Sequence, residues 1–495
     1  MQPADFDLDT LETLPPDLLR CRHLRLPTAD PLAPVAAGVV DNLRDNPAFS
    51  ALLDRVAQLT GGTSPDRDRV QLSYTSRLSP DATTLPCAIK VLSDLGCTDP
   101  LPPVYERQFH TVDASTFNDL MGATRPNLRI EIDMLSVNFT PQTLDDFTPS
   151  GIAKQVAPLH ELQTRRGSLH SLIKMAHAHP DAEPRLSQIQ NDPELVNAIV
   201  NSDWARRHDA DHADQSAAIQ DLRAQLDRDF HINTDHDARA LRHGVHDLCI
   251  AIVQNDTPVA GTLAETAAAL IRQTDVTLAA QITEILHHPD YLRLESVWRG
   301  LWYLVDACAT NHRAQIQVMN LSKDALYREI RRYPGLKFAQ SPIHKWLVDQ
   351  TFGTLGGLPT TCIVTDYYFD HSVPDVRLLT SLSRITAAAQ AVVIAGANPN
   401  LFMMDSWAEL PQPKELHQMF KYSEYEHWRA LRDDPNAQFI ALTAPRFAAR
   451  AAFGTDNPDA HITLDAPLGQ NWADQICWAN AAYVVVSDVS AYGTK

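Results

Sequence analysis

Residues 128–139 have the sequence Leu-Arg-Ile-Glu-Ile-Asp-Met-Leu-Ser-Val-Asn-Phe, in which apolar and polar side chains alternate almost without a break. A period of two is typical of a β-strand with one buried face and one face in water. We therefore predict two strands, Leu128–Met134 and Leu135–Phe139, with their polar side chains in solvent. The unpaired edges of such strands are surfaces that another chain can extend.

Helical and strand patterns around this pair predict an α+β unit over residues 65–200. Strand patterns lie at Arg69–Ser76 and Pro86–Leu92. A helix is predicted over Ala114–Met121, capped by the aspartate before it and stopped by the glycine after it. A longer helix begins at Thr148 or Ser150 and continues through Leu169.

The rest of the chain divides into three further parts. Residues 1–64 form a Pro- and Leu-rich extension with one amphipathic helix over Ala48–Leu59. Residues 201–236 form a polar linker, whose helix over Ala217–Asp229 we expect to be exposed. Residues 237–495 start with helices and continue with alternating strands and helices, as in a layered α/β domain. The strands predicted there are Ala314–Leu321, Thr361–Asp366, Ala391–Ala397 and Ala437–Thr443.

Composition excludes several classes of function. The formal charge of −19 opposes non-specific binding to nucleic acid and attraction to anionic membranes. No apolar run is long enough to cross a bilayer, and the acidic amino terminus lacks a signal-peptide core, so we expect a cytoplasmic protein. The seven cysteines contain no CxxC pair and do not form a disulfide framework.

Cofactor motifs are weak. The glycine-rich stretch Gly353–Pro359 lacks the Gly-Lys-Ser/Thr ending of a phosphate-binding loop, and a tight turn explains its glycines. His208 and His212 lie in an acidic stretch typical of a solvated linker, whereas a zinc site needs ligands that converge on one point. His287 and His288 are adjacent, so their side chains diverge on a helix. We predict no cofactor and no metal.

Asp366-Tyr-Tyr-Phe-Asp370 places a carboxylate at the end of a predicted strand. One hypothesis is a hydrolase that uses paired carboxylates, Asp366 with the nearby Asp370 and Asp375. A related hypothesis is a metal-dependent hydrolase that uses His208, His212 or Asp366. The alternative is that Asp366 accepts backbone or arginine hydrogen bonds while Tyr367 and Phe369 pack. The chain has no GxSxG and no HExxH motif, which favours a protein that is not an enzyme.

Two Trp-Arg pairs, Trp298-Arg299 and Trp428-Arg429, lie in predicted helices. Each pair is compatible with the rim of a core, where the arginine reaches a carboxylate. Each is equally compatible with an assembly surface, because Trp and Arg are enriched at interface hot spots.

Residues 68–199 resemble the small sheath subunit of the type VI secretion system, TssB or VipA. The motifs follow one another in the same order and at the same spacing as in that family, through the whole segment. The motifs are Arg69-Val-Gln-Leu-Ser-Tyr74, Val91-Leu-Ser-Asp-Leu95, Phe109-His-Thr-Val-Asp113, Arg125-Pro-Asn-Leu-Arg-Ile130, Leu135-Ser-Val-Asn-Phe139, Leu144-Asp-Asp-Phe-Thr-Pro149, Gln155-Val-Ala-Pro-Leu159 and Asn191-Asp-Pro-Glu-Leu195.

Residues from about 234 onward resemble the amino-terminal half of the large sheath subunit, TssC or VipB. The motifs are Ile285-Leu-His-His-Pro289, Leu294-Glu-Ser-Val-Trp-Arg-Gly-Leu301, Gly356-Gly-Leu-Pro359, Asp366-Tyr-Tyr-Phe369, Tyr425-Glu-His-Trp-Arg-Ala-Leu-Arg432, Leu442-Thr-Ala-Pro-Arg446 and Cys477-Trp-Ala-Asn-Ala-Ala-Tyr483.

The resemblance implies a phage-tail-sheath-like fold with mixed sheets, helical layers and no catalysis. Subunits of this family pair and stack as a contractile tube around an inner tube, exchange strands with neighbours, and are dismantled by a ClpV-type AAA+ ATPase. Expected partners are other sheath subunits, the inner-tube protein and that ATPase. The assembly or structural candidates are Val70, Leu72, Arg129, Phe147, Trp298, Arg299, Asp366, Tyr367, Phe369, Trp428, Arg429, Pro445 and Arg446.

The sequence departs from the family in three ways. One chain joins what are normally two, which fixes a one-to-one ratio. The match to the large subunit stops near Tyr483, so we expect the family's carboxy-terminal half to be absent. Arg450-Ala-Ala-Phe-Gly454 stands where the family has Arg-x-Pro-Tyr-Gly. A sheath subunit, a regulator that caps sheath ends, and a subunit completed by a second chain all remain open.

Overall fold

The computed structural model describes residues 87–96, 101–132, 135–179, 183–202, 217–231, 234–255, 263–309, 314–352, 358, 360–410, 416–454, 457–459, 461–464 and 475–492. The predicted extension 1–64 and its helix lie outside these residues. So does the predicted strand Arg69–Ser76, with the candidates Val70 and Leu72.

The strands of the described residues form one six-stranded sheet and two strand pairs. They are β1 (Cys87–Ser93), β2 (His110–Val112), β3 (Leu128–Ile132), β4 (Leu135–Phe139), β5 (Ala314–Asn320), β6 (Thr360–Phe369), β7 (Val392–Ala397), β8 (Ile440–Thr443), β9 (Phe447–Arg450) and β10 (Cys477–Ala479). The large sheet has the order β2-β5-β1-β6-β7-β8, and β3–β4 and β9–β10 are antiparallel pairs.

Strand β1 lies inside the large sheet, parallel to β5 on one side and to β6 on the other. It comes from the predicted unit 65–200, whereas β5 and β6 belong to the part 237–495. Val91 therefore pairs with Val318 of β5 and with Val364 of β6. The two parts of the chain share one sheet, and neither side of β1 is left without a hydrogen-bonded neighbour.

The helices are distributed along the whole described chain. They are α1 (Phe117–Thr124), α2 (Pro149–Gln155), α3 (Ala157–Ala178), α4 (Glu183–Asn191), α5 (Pro193–Val200), α6 (Ala217–Asp229), α7 (Asp235–Asn255), α8 (Leu263–His287), α9 (Pro289–Ala309), α10 (Lys323–Arg331), α11 (Pro342–His344), α12 (Gln350–Phe352), α13 (Val373–Ala389), α14 (Leu416–Met419), α15 (Glu426–Asp433) and α16 (Ala482–Tyr492). A π-helical turn, Lys345–Asp349, joins α11 to α12. The 3₁₀ turns are Val104–Glu106, Leu144–Phe147, Gly335–Gln340, Pro399–Phe402, Trp407–Glu409, Ser423–Tyr425 and Pro435–Phe439.

Both faces of the large sheet are covered, which explains the near-continuous apolar runs of its parallel strands. On one face, Ile89 and Val91 join a core formed with α9, α16 and the β3–β4 hairpin. On the other face, Leu92 joins a core with α10 and α13. Helix α16 approaches α9 closely at Gly300, where a Cβ would lie 2.7 Å from the Tyr483 ring.

The β3–β4 hairpin confirms the alternation of the sequence. Leu128 and Ile130 are buried while Arg129 and Glu131 are exposed, and Arg129 pairs across the hairpin with Asn138. Phe139, Phe147 and Tyr291 form one aromatic cluster, and the Tyr291 hydroxyl donates a 3.0 Å hydrogen bond to the Phe147 carbonyl. The hairpin is thereby held against α9.

A third core lies in the helical middle of the chain, between α3 and the helices up to α8. The helix α6 was expected to be exposed, and this expectation is wrong for one of its faces. Leu226 and the following Phe230 are buried in that core. Arg185 of α4 donates hydrogen bonds to Asp229 and to Gln225, so polar contacts hold α6 in place as well.

Several predicted boundaries differ from the structure. The Asp113 carboxylate accepts the backbone N–H groups of Ser115 and Thr116, which closes a turn, and α1 begins only at Phe117. Gly122 does not stop this helix, which ends where Arg125 takes a left-handed conformation. The predicted strand Ala437–Thr443 starts late because the 3₁₀ turn occupies its first residues.

No helix of the described residues is both long enough and apolar enough to span a bilayer.

Cutting the chain between the two parts tests the shared sheet. We insert a protease site after His212, between the matched parts, and cleave the purified protein. Because β1 is hydrogen-bonded on both sides and buried on both faces, the two pieces should co-elute in size-exclusion chromatography until denaturant is added. The uncleaved variant is the control. Two separate peaks in native buffer would contradict this arrangement.

Candidate functional site

A buried cluster of charges joins α9 to β9. Glu295 is fully buried and accepts hydrogen bonds from Arg450 through Nε at 2.6 Å and Nη2 at 2.9 Å. Arg299, one turn along α9, donates its Nε to the same carboxylate at 2.7 Å. The Arg450 guanidinium also lies 4.7 Å from the centre of the Phe453 ring. One carboxylate therefore holds two arginines.

The electrostatics of this cluster favour an ionised Glu295 between two arginines, next to the neutral groups Tyr291 and Cys477. Burial opposes the ionisation of Glu295, but Arg450 and Arg299 outweigh it and hold the pKa of that carboxyl below its usual value. Burial raises the pKa of Tyr291 and that of the Cys477 thiol. A thiol held neutral in this way is a poor nucleophile. The cluster is thus suited to joining elements and not to chemistry.

Sequence reasoning missed Glu295 and noticed Arg450 only as part of a motif that differs from the family. The available signal was the Glu295–Arg299 spacing of four residues within α9, a spacing that places both side chains on one face.

A second polar cluster ties α16 to the large sheet. Asp366 lies within β6 and not at its end, so that part of the prediction is wrong. Its Oδ2 accepts the hydroxyl of Ser93 at 3.1 Å and that of Tyr483 at 3.0 Å. Both of these donors are hydroxyl groups, whereas the sequence predicts backbone or arginine donors. Asn480 adds a 3.3 Å bond from its amide nitrogen to the Tyr367 carbonyl.

The Asp366 carboxyl has an unusual proton affinity. Burial raises its pKa to about 6, although the hydrogen bonds from Tyr483 and Ser93 act in the opposite direction. Its neighbours Tyr367 and Phe369 are buried, as expected for residues that pack. The Tyr367 hydroxyl donates to the Leu321 carbonyl at 2.5 Å, and Lys323, paired with Asp375 at 2.7 Å, lies over the Phe369 ring.

The two Trp-Arg pairs both lie at core boundaries. Trp298 is fully buried and packs edge-to-face on Phe117, while its neighbour Arg299 bonds Glu295. Trp428 is half-buried, and Arg429 donates to the carbonyls of Phe420 at 2.8 Å and Tyr422 at 2.6 Å. The first arginine reaches a carboxylate, as one of the two interpretations requires, and the second reaches carbonyl oxygens instead.

Three of the candidates reach the surface. Arg129 projects from the solvent face of β3. Pro445, which follows a cis peptide bond, is exposed, and Arg446 is half-buried. The remaining described candidate, Phe147, is fully buried.

The structure describes only some of the residues considered for metal or phosphate binding. No group of three or more His, Cys, Asp or Glu residues there could hold a metal ion. Burial and the nearby Arg450 lower the pKa of His287. His208, His212 and most of the Gly353–Pro359 stretch lie outside the described residues.

Comparison with known families matches the two parts of the chain to two different models. Residues 63–203 match the VipA model (type VI secretion system, VipA, VC_A0107 or Hcp2). Residues 268–492 match the VipB model (EvpB/VC_A0108, tail sheath N-terminal domain). The chain joins a VipA-family segment to a VipB-family segment. Strand β1 thus belongs to the VipA-like segment (63–203), and β5 and β6 belong to the VipB-like segment (268–492).

Two curated relatives from Pseudomonas aeruginosa agree with this division. The chain is 34% identical to the type VI secretion system sheath protein TssC1 over 264 residues, which are 53% of this chain and 53% of that protein. It is 26% identical to the sheath protein TssB1 over 145 residues, which are 27% of this chain and 84% of that protein. The chain therefore spans about half the length of TssC1 and most of TssB1.

The buried charge cluster predicts that two glutamates, Glu295 and Glu161, contribute very differently to the free energy of unfolding. Glu295→Ala leaves Arg450 buried without its carboxylate and should lower the free energy of unfolding by about 3–5 kcal/mol. Glu161 is the comparison, because its side chain is 72% exposed although its partner Arg165 is buried, so water reaches this carboxylate. Glu161→Ala should therefore cost clearly less than Glu295→Ala. Urea unfolding followed by tryptophan fluorescence measures both. Equal losses would show that the Glu295 cluster contributes no more than a surface pair.

The Asp366 carboxyl predicts a pH dependence of stability. Its pKa is higher in the folded chain than the ordinary 3.8, so its contribution to folding is fully present below pH 4 and is lost as the pH rises through 6. Asp366→Asn should remove a decline of about 1.4 kcal/mol between pH 5 and 7.5, because stability falls by about 1.4 kcal/mol per pH unit only until the pH reaches the folded pKa of about 6. Stability of the two proteins is compared by urea unfolding at each pH.

The neighbouring Asp370 is the control for this pH series. Hydrogen bonds from Ser372 outweigh its burial and lower its pKa, so Asp370→Asn should leave the decline between pH 5 and 7.5 in place. Parallel curves for the wild type and Asp366→Asn would contradict the assignment.

Proposed function

We propose that this chain is a structural subunit of the contractile sheath of a type VI secretion system, which assembles with other sheath subunits around an inner tube. The observation that carries the proposal is that one chain matches both sheath-family models, over 63–203 and 268–492. Both named relatives are sheath proteins. On this proposal the chain catalyses no reaction, binds no cofactor and acts in the cytoplasm.

The use of its polar groups supports a structural role. The buried charged and polar side chains that would be candidate catalytic groups in an enzyme instead form contacts between helices and strands. Glu295 joins α9 to β9, and Asp366 joins α16 to β6 through Tyr483. An active site instead needs polar groups that face a substrate and are not already occupied by structural hydrogen bonds.

The exposed candidates supply the proposed contacts with neighbours. The β3–β4 hairpin forms a sheet of its own, and its solvent face carries Arg129 and Asn138. A two-stranded sheet is a small unit that gains stability when another strand extends it. Pro445 and Arg446, between β8 and β9, offer a second surface at one border of the large sheet.

The remaining partners follow from the same proposal. An inner-tube protein would lie inside the sheath, and a ClpV-type AAA+ ATPase would dismantle it after contraction. The charge of −19 keeps unassembled copies apart by mutual repulsion until complementary surfaces meet.

Electron microscopy of the purified chain tests the proposal. We expect tubes or curved sheet-like arrays at high concentration. Arg129→Glu should prevent them if the hairpin face contacts a neighbour, while Arg272→Glu, the same charge change on the exposed side of α8, should not. Discrete particles that bind the ends of preformed sheaths would support a capping regulator instead. Particles that neither assemble nor bind a sheath would overturn the proposal.

A further inference from the structure

A cavity of about 400 Å³ lies between α10, the 3₁₀ turn Gly335–Gln340 and α13. Its volume is in the range of clefts that hold small ligands or a few peptide side chains. Tyr327, Tyr333 and Phe338 supply aromatic walls, and Leu378 and Ile385 supply aliphatic ones. The proposed sheath function leaves this cavity without a role.

Three arginines line the cavity, Arg331, Arg377 and Arg384, and no Asp or Glu is among the lining residues. All three are exposed. Arg377 and Arg384 are seven residues apart and lie on one face of α13. Arg331 lies 5.6 Å from the centre of the Tyr327 ring. In a chain with a net charge of −19, a cleft that concentrates positive charge next to aromatic rings is suited to an acidic segment with apolar side chains.

We propose that residues 5–12 of the same chain dock in this cavity. This segment has the sequence Asp-Phe-Asp-Leu-Asp-Thr-Leu-Glu, and no Lys or Arg occurs before Arg20. Its carboxylates complement the three guanidinium groups, which bind carboxylates with two hydrogen bonds each. Phe6 and Leu8 alternate with the aspartates and fill the aromatic and aliphatic walls.

The connection to the described chain permits this contact. Seventy-five positions separate Glu12 from Cys87, where the described residues begin. A connection of that many residues reaches roughly 50 Å even with the average dimensions of a random coil. Tethering gives a segment an effective concentration that reaches the millimolar range for short connections, so modest affinity is enough for docking within one chain. A free acidic peptide of another protein lacks this advantage.

Photo-crosslinking of the full chain tests the proposal. Phe6 is replaced by p-benzoylphenylalanine, and equal amounts of unlabelled and ¹⁵N-labelled protein are mixed and irradiated at low micromolar concentration. Mass spectrometry of the digest should find crosslinks to residues 373–389 or 327–341, within one isotope class. Sodium chloride at 0.5 M should reduce the yield several-fold, because the Debye length is then only about 4 Å.

Charge inversion makes the test specific. Arg377→Glu together with Arg384→Glu should lower the crosslink yield about tenfold, and adding Asp5→Lys, Asp7→Lys and Asp9→Lys should restore at least half of it. The matched control is Arg129→Glu with Arg272→Glu, which changes the total charge equally on exposed residues outside the cavity. Circular dichroism confirms that each variant is folded.

Each outcome decides the proposal. The proposal is supported if the crosslinks lie within one isotope class, are lost when Arg377 and Arg384 are inverted, and return when the aspartates of residues 5–9 are inverted as well. Crosslinks between the isotope classes would assign the segment to a second copy and overturn docking within one chain. Crosslinks elsewhere, or a yield that is unaffected by the inversion at α13, would also overturn it. Loss of tube formation does not enter this test, so its failure is distinguishable from failure of the proposed sheath function.

Discussion

The insertion of β1 between β5 and β6 is the constraint on which the rest of the structure depends. A strand with parallel neighbours on both sides contributes its full set of backbone hydrogen bonds to strands that lie more than 220 positions further along the chain. The cores on the two faces of the sheet then contain side chains from both family segments. The VipA-like and VipB-like segments are two parts of one folding unit, because neither the sheet nor its two cores is complete without both.

Buried polar groups fix how that unit is put together. Lys90 of β1 is almost fully buried, donates to the Trp346 carbonyl at 2.5 Å and lies over the Phe109 ring, and burial lowers its pKa to about 8. Ile89 and Val91 on either side of it face the opposite core. A slip of one residue would place the ammonium group in the apolar core against α9, so this side chain opposes any other register. Glu295 and Asp366 act in the same way on β9 and α16, since an arginine or a hydroxyl moved away from either carboxylate would leave a buried polar group without its partner.

The sequence predicted what is local and missed what is long-range. The alternation at residues 128–139 identified the β3–β4 hairpin because a period of two needs no knowledge of the rest of the chain. The apolar runs around Val91, Val318 and Val364 were each predicted as strands, but nothing in them specifies that β1 lies in the middle. That order depends on which strands meet across hundreds of residues.

The same limit hid the contact between Glu295 and Arg450, which are 155 positions apart. It also made the polar helix α6 look exposed, because only the tertiary structure shows that Leu226 has a core to enter. Asp366 was singled out from its motif, yet its hydroxyl donors, Ser93 and Tyr483, lie far from it in the sequence.

A shared sheet has a mechanical consequence for the proposed sheath. In a contractile tube the energy of the extended state is held in contacts between subunits, and contraction exchanges one set of contacts for another. That exchange requires each subunit to move as one body, since a unit that opened internally would release energy without moving its neighbours. Internal opening is opposed by the strand pairing on both sides of β1, by the cores on the two sheet faces and by the Glu295 cluster. The covalent connection through residues 203–216 also keeps the two segments together. In two separate chains, the same pairing would have to form at every assembly step from partners at finite concentration. In one chain the partner is always present, so on the proposed function only the contacts between subunits have to form and exchange during assembly and contraction.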